Sequence, residues 1–189
     1  VHVVDLPGTY SLTANSPEER DARDFLLRER PEVVAVIADA SALERNLYLV
    51  AELLYLPVPI VLGLNMTDVA GQQGLRIEPH VLEAALGLPV VPMVATRNEG
   101  VRELMDTVLR AAQGDTGEHN RPEIREDHRA VLDDLLRLVA GRVPAGYPED
   151  WVALKLLEGD EEITALVRSR LDEGEWQAVH ALLLQHEDA

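Results

Sequence analysis

Along residues 1–112, runs of apolar residues alternate with stretches whose apolar positions recur at helical spacing. Residues 1–4 read as a short strand that Pro7 and Gly8 end, leaving Asp5 at its carboxyl end. Ser16-Pro17-Glu18-Glu19 is a helix start: a hydroxyl cap, a proline in the first turn and two acids on the positive end of the dipole. That helix runs to Arg30, and Pro31 stops it. Residues 33–38 are apolar on both faces, as in a central parallel strand, and Asp39 follows. Leu43, Leu47, Val50 and Leu54 mark a helix over residues 42–56, and Pro57 separates it from a strand over residues 59–64. A glycine-rich turn at Gly71 and Gly74 comes next, then a helix over residues 81–86 closed by Gly87. A fourth strand over residues 89–94 and an amphipathic helix over residues 100–112 complete this part. Alternating strands and helices imply right-handed crossovers and a doubly wound parallel α/β sheet.

Residues 113–122 hold no apolar side chain and read as a linker. Beyond it the pattern is helical only, with stripes at Val131, Leu132, Leu135, Leu136 and Val139, then Trp151, Leu154 and Leu157. Two more follow at Ile163, Leu166 and Val167, and at Trp176, Val179 and Leu183. These stripes are core, and the two tryptophans belong to them. The organisation expected is therefore an α/β domain over 1–112, a linker over 113–122 and a small all-helical domain over 123–189.

Composition narrows the partners. Hydrophobic residues make up 47% of the 189, enough for a real core. Seventeen basic against 34 acidic residues leave a formal charge of −17, a field that repels nucleic acid and anionic lipid. Nucleotides still bind through backbone N–H groups that no charge count reveals. Without cysteine there is neither a disulfide framework nor a thiolate metal site. The most apolar stretch, residues 53–64, is too short to span a bilayer and is interrupted by Pro57 and Pro59. No signal peptide is visible, and a start at Val1 within a strand reads as a soluble fragment of a longer chain.

Three signals sit at the carboxyl ends of successive strands, where such sheets collect ligands: Asp5-x-x-Gly8, Asn65-x-x-Asp68 and Ala95. A carboxylate at Asp68 accepts two parallel hydrogen bonds from guanine, one from the ring N–H and one from the exocyclic amino group. Adenine lacks that amino group and would leave the carboxylate unpaired. Asn65 braces the loop and reaches the base's other edge, and the Ala95 N–H can donate to the base carbonyl. Asp5 suits Mg²⁺ held through water, and Gly8 lets a backbone N–H approach a phosphate closely. Taken singly, each motif is also a common turn. Together they describe a guanine-nucleotide pocket.

At this point the chain resembles a known family. Asp-Leu-Pro-Gly-Thr-Tyr-Ser-Leu at 5–12, Ser-Pro-Glu-Glu at 16–19, Leu-Glu-Arg-Asn-Leu-Tyr-Leu at 43–49 and Leu-Asn-Met-Thr-Asp at 64–68 are similar to the cytosolic GTPase domain of the ferrous-iron transport protein B (FeoB) family. Ala-Leu-Lys-Leu-Leu-Glu-Gly-Asp at 153–160 resembles the helical domain that follows it and modulates nucleotide release. The resemblance implies a Ras-like P-loop GTPase sheet, incomplete at its first strands, with GTP or GDP and Mg²⁺ as ligands and K⁺ a further candidate. It places Asp5 near Mg²⁺, the Gly8 N–H near the γ-phosphate and Thr9, Tyr10, Ser11 and Leu12 in a mobile switch. Asn65 and Asp68 would read guanine, with Met66 packed on the base face where most GTPases carry lysine. The implied partner is a ferrous-iron permease in the membrane, further along the same parent chain, which sets this domain on the cytoplasmic side. Self-association stays open, and no catalytic residue is assigned.

Two positions depart from the family pattern. Val94 stands where a serine is usual, and residues 1–189 contain no Gly-x-x-x-x-Gly-Lys-Ser/Thr. The groups of that motif carry most of phosphoryl transfer, so this stretch alone is expected to bind GTP poorly and hydrolyse it negligibly. In the family a further strand would lie between residues 1–5 and 33–39. Two other functions fit parts of the pattern: a soluble GTPase of ribosome or RNA maturation, and a nucleotide-independent interaction module. The six histidines show no metal-ligand spacing, and Asp160-Glu161-Glu162 reads as helix-start acids.

Overall fold

The computed structural model describes residues 2–13, 16–114, 119–124 and 126–187, in two compact units. Val1 and residues 115–118 of the expected linker lie outside the described residues.

One unit contains Thr9–Ser11 and Glu29–Arg121. Its strands β1 (Val34–Asp39), β2 (Ile60–Asn65) and β3 (Val90–Pro92) form a parallel sheet in the order β1-β2-β3. The register pairs Val34 with Ile60 through to Asp39 with Asn65, and Leu62 with Val90. As the middle strand, β2 is covered on both faces, and Ile60, Val61, Leu62 and Leu64 are all 0% exposed. Its helices are α2 (Leu43–Leu53), α3 (Thr67–Gln72), α4 (Pro79–Leu86) and α5 (Val101–Ala112). Leu104 and Ala111 of α5 pack on Val61, Val91 and Met93. Gly87 closes α4 in the left-handed conformation, at φ 67°.

The second unit groups residues 2–8, Leu12–Arg28 and the described residues from Pro122 onward. It comprises α1 (Pro17–Glu29), α6 (Glu126–Val139), α7 (Glu149–Leu157), α8 (Glu161–Arg168) and α9 (Glu173–Glu187). Its core holds Leu12, Leu135, Val139, Trp151, Val152, Leu156, Ile163, Trp176 and Val179, so both tryptophans are core residues. Helix starts follow the sequence chemistry. Ser16 Oγ accepts the Glu19 N–H at 3.1 Å, and Asp160 Oδ1 accepts the Glu162 and Ile163 N–H groups at 3.0 Å. Asp172 and Glu175 cap each other's backbone reciprocally.

Two expectations are corrected. Residues 2–4 form no strand, and Val3 and Val4 are exposed. A strand needs a neighbour's N–H and C=O groups, and among the described residues β2 alone pairs with β1. The sheet thus has three strands rather than four. The stretch after Asn65 is not simply a glycine turn, because Thr67–Gln72 is helical and packs beside the 3-10 turn Ala40–Ala42.

In the helical unit Arg23 is buried, and its guanidinium meets Glu162 Oε2 at 2.9 Å while Arg20 reaches the same oxygen at 3.1 Å. Burial alone would raise the Glu162 pKa, but the hydrogen bond and charge of Arg23, helped by Arg20, hold it below its ordinary 4.5. A depressed carboxylate contributes stability above its unfolded pKa and loses it as pH falls through the folded value. Glu162→Gln should therefore destabilise this unit near neutrality and flatten the acid limb of its stability curve. The side chain is 47% exposed. Solvent screening thus brings the expected cost down to about 1–2 kcal/mol, below that of breaking a fully buried pair. Urea unfolding followed by tryptophan emission at pH 7 and pH 3.5 measures it, since both tryptophans lie in this unit. An unchanged pH dependence would remove Glu162 from the acid response.

Candidate guanine-nucleotide site

The site is built from the loops that leave β2 and β3. Asn65 is the last residue of β2, and its Oδ1 accepts the Ala95 N–H at 3.0 Å. Met66 takes the left-handed conformation at φ 61° and turns the chain sharply out of the strand into α3. Thr67 ties that turn to the neighbouring loop, its Oγ1 donating to the Met93 carbonyl at 3.2 Å. Asp68 then falls in the first turn of α3, partly buried, while Met66 is exposed beside it.

On the β3 side, Val94 and Glu99 exchange both backbone hydrogen bonds, at 3.0 and 3.2 Å. This bridge folds residues 95–98 into a tight excursion whose first three residues form a 3-10 turn. Ala95 follows this bridge rather than ending the strand, since β3 stops at Pro92. Asn65, Met66, Asp68 and Ala95 are thus brought together by two short loops. Sequence reading missed Arg97, whose guanidinium lies 3.1 Å from Asp68 Oδ2. No spacing in the sequence signals this pair, because Arg97 and Asp68 lie 29 positions apart and meet only where the two loops do. Asp39, at the end of β1, accepts the Ser41 N–H at 2.8 Å and the Ser41 hydroxyl at 2.7 Å, capping the 3-10 turn there.

The other expected site residues are placed as follows. Asp5 and Gly8 belong to the helical unit, and both are exposed. Leu12 belongs there too and is fully buried. Thr9–Ser11 lie with the sheet, where they rest along α2. The Arg45 guanidinium stacks 3.8 Å over the Tyr10 ring, and Ser11 Oγ donates to Glu52 Oε1 at 3.3 Å. Among the described residues no group of three or more acidic or histidine side chains could hold a metal ion. A lone exposed carboxylate such as Asp5 still fits Mg²⁺, which keeps several waters and takes oxygens from nucleotide phosphates.

Comparison with known proteins gives these loops a context. Residues 1–108 match the family profile "Ferrous iron transport protein B", and residues 125–188 match "FeoB cytosolic helical domain". The Fe(2+) transporter FeoB of Escherichia coli is 38% identical over 167 residues, covering 85% of this chain and 21% of the transporter. A fusion of Fe(2+) transport protein A with the transporter FeoB, from Porphyromonas gingivalis, is 36% identical over 174 residues, covering 88% of this chain and 20% of the fusion. The chain spans about a fifth of the length of these relatives. NFeoB of S. thermophilus bound to GDP, AlF4⁻ and K⁺ superposes with a TM-score of 0.86 at 32% identity, covering 97% of this chain and 70% of that one. A mutant of the same protein bound to GMPPNP gives 0.85 at 31% identity, with the same coverage.

The matches give the α/β unit the fold of a G domain of the GTPase type, followed in the chain by a helical domain. The chain belongs to the ferrous iron transport protein B family, FeoB.

Proposed function

We propose that this chain is the nucleotide-dependent regulatory part of a ferrous-iron transporter, in which residues 1–112 bind guanine nucleotide and residues 123–189 modulate its release. The observation that carries the reading is the loop pair at the carboxyl ends of β2 and β3, with Asn65 bonded to the Ala95 N–H and Asp68 alongside. Asp68 reads the guanine N–H and amino groups, Met66 covers the base face, and Asn65 fixes the distance between the two loops. The Ala95 N–H serves the base carbonyl by sharing its hydrogen with Asn65 Oδ1. Asp5 is the water-mediated Mg²⁺ residue, the Gly8 N–H faces the γ-phosphate, and Thr9 to Leu12 form the switch. When bound, Mg²⁺ neutralises phosphate charge.

A switch resting on α2 through Tyr10–Arg45 and Ser11–Glu52 has discrete contacts to gain and lose, as a population-shift device requires. The partner it serves is a membrane permease in the same parent protein. Among the described residues no helix is long and apolar enough to cross a membrane. Solved relatives bound to GDP and to GDP·AlF4⁻ with K⁺ support the ligand class and make K⁺ a candidate cofactor here.

The same reading makes residues 1–189 by themselves poor binders, since they contain no phosphate-loop motif. Titration of a fluorescent GDP analogue should give weak binding to this stretch. The full-length protein should bind GDP tightly and prefer it to ADP. Tight GDP binding by residues 1–189 would overturn the first expectation, and equal binding of GDP and ADP by the full-length protein would overturn the guanine assignment.

A further inference from the structure

Asp68 is 22% exposed, and its Oδ2 is engaged by Arg97, itself 56% exposed, at 3.1 Å. We propose that Arg97 is a built-in competitor for the guanine-reading carboxylate, so that nucleotide must displace its guanidinium to seat the base. This rests on the reading of Asp68 given above. Guanine presents N–H groups on two nitrogens joined to one carbon, and a guanidinium presents the same fork. Arg97 reaches Oδ2 of Asp68 through one nitrogen, and guanine's fork needs Oδ2 as well as Oδ1, so the two compete for that oxygen.

The loop geometry makes this competition local. Arg97 ends the 3-10 turn that begins at Ala95, and its own N–H donates to the Val94 carbonyl at 3.0 Å. The residue that blocks Asp68 therefore sits on the loop whose Ala95 N–H is bonded to Asn65. The Arg97 side chain is exposed enough to swing into solvent while its backbone stays held. Affinity for guanine then scales with the fraction of molecules in which Asp68 is released.

Charge alone predicts the opposite sign. Removing a cation from a protein of net charge −17 should weaken its hold on an anionic nucleotide, whereas removing a competitor should strengthen it. The test is equilibrium binding of GDP to the full-length protein and to its Arg97→Ala and Arg97→Gln variants. Both variants should bind GDP about two- to fivefold more tightly, the range an exposed ion pair supports, and the gain should shrink as salt is raised. In an Asp68→Asn background, Arg97→Ala should no longer tighten binding, read with xanthosine diphosphate, because the pair is already broken and only the loss of a cation remains. Weaker or unchanged GDP binding by both Arg97 variants, with Asp68→Asn still switching base preference, would overturn the competitor while sparing the guanine reading. If Asp68→Asn switches nothing, the guanine reading fails and the competitor fails with it.

Discussion

Asp68→Asn, made in the full-length protein, should lower GDP affinity about a hundredfold or more while improving binding of xanthosine diphosphate. Two charge-assisted hydrogen bonds, each worth about 1.5–3 kcal/mol, connect a carboxylate to guanine's ring N–H and amino group. Asparagine keeps the size but replaces one acceptor by a donor, which then faces the guanine amino group donor to donor. Xanthine carries a carbonyl in place of that amino group, so the new donor finds a partner. Competition titration of the two nucleotides against one fluorescent analogue reads both effects together. The position of Asp68 supports so large an expectation. It is partly buried in the first turn of α3, a helix held by the Thr67–Met93 contact, so its carboxylate is aimed by backbone rather than by a free loop. Equal loss for both nucleotides would mean that the substitution damages the loop and that Asp68 does not read the base.

What could be read in advance follows from how local each signal is. Helices α1, α4 and α8 were legible because their ends are written in adjacent residues: Ser16 and Pro17, Gly87, and Asp160. Strand β2 was legible because a strand buried on both faces needs an unbroken apolar run, and β1 carries such a run too, although its Ala35 and Ile37 face is exposed at the edge of the described sheet. Residues 2–4 include two valines but form no strand, since strand formation depends on a partner ladder and not on side-chain preference alone. Helix α3 was obscured by Gly71, whose low helix propensity is outweighed here by packing against the 3-10 turn at 40–42.

Buried cations were the least legible. Lys155 sits inside the repeating apolar pattern of α7 and is fully buried, its Nζ donating to Thr13 Oγ1 at 2.8 Å and Glu158 Oε2 at 2.7 Å. Arg23 likewise counts as polar in any periodicity, yet its chain is packed in the helical core. At the site, Asn65 and Asp68 could be proposed from spacing, but the Asn65–Ala95 and Arg97–Asp68 pairings join residues 30 and 29 positions apart. Such pairings depend on two loops meeting, and no single-chain spacing encodes that.

The loop that carries Ala95 and Arg97 has its own weak point, and Gly100→Ala should expose it by destabilising the sheet unit by about 3 kcal/mol or more. Gly100 caps α5 at φ 75°, in the region where a side chain is strained. A Cβ there would lie 2.4 Å from the Pro92 carbonyl oxygen, 2.8 Å from Met93 Cβ and 2.9 Å from Met93 Cα. Two of these atoms are β3-side backbone, which cannot rotate away as a side chain could. Gly114 supplies the control, since it shares the backbone sign at φ 88° but has no atom within 4 Å of an added Cβ. Gly114→Ala should therefore cost only the conformational strain, about 1 kcal/mol. Amide exchange at Val61 to Leu64 measures the sheet unit directly, where tryptophan emission would report the helical one. The difference between the two variants isolates the Pro92 contact. Because Glu99 pairs with Val94 immediately before Gly100, relief of that clash is expected to disturb the 95–98 excursion and its Ala95–Asn65 hydrogen bond. Gly100→Ala should accordingly lose guanine affinity as well as stability, whereas Gly114→Ala should keep it. Equal exchange rates in the two variants would show that the backbone around Pro92 yields freely and that Gly100 does not set the loop.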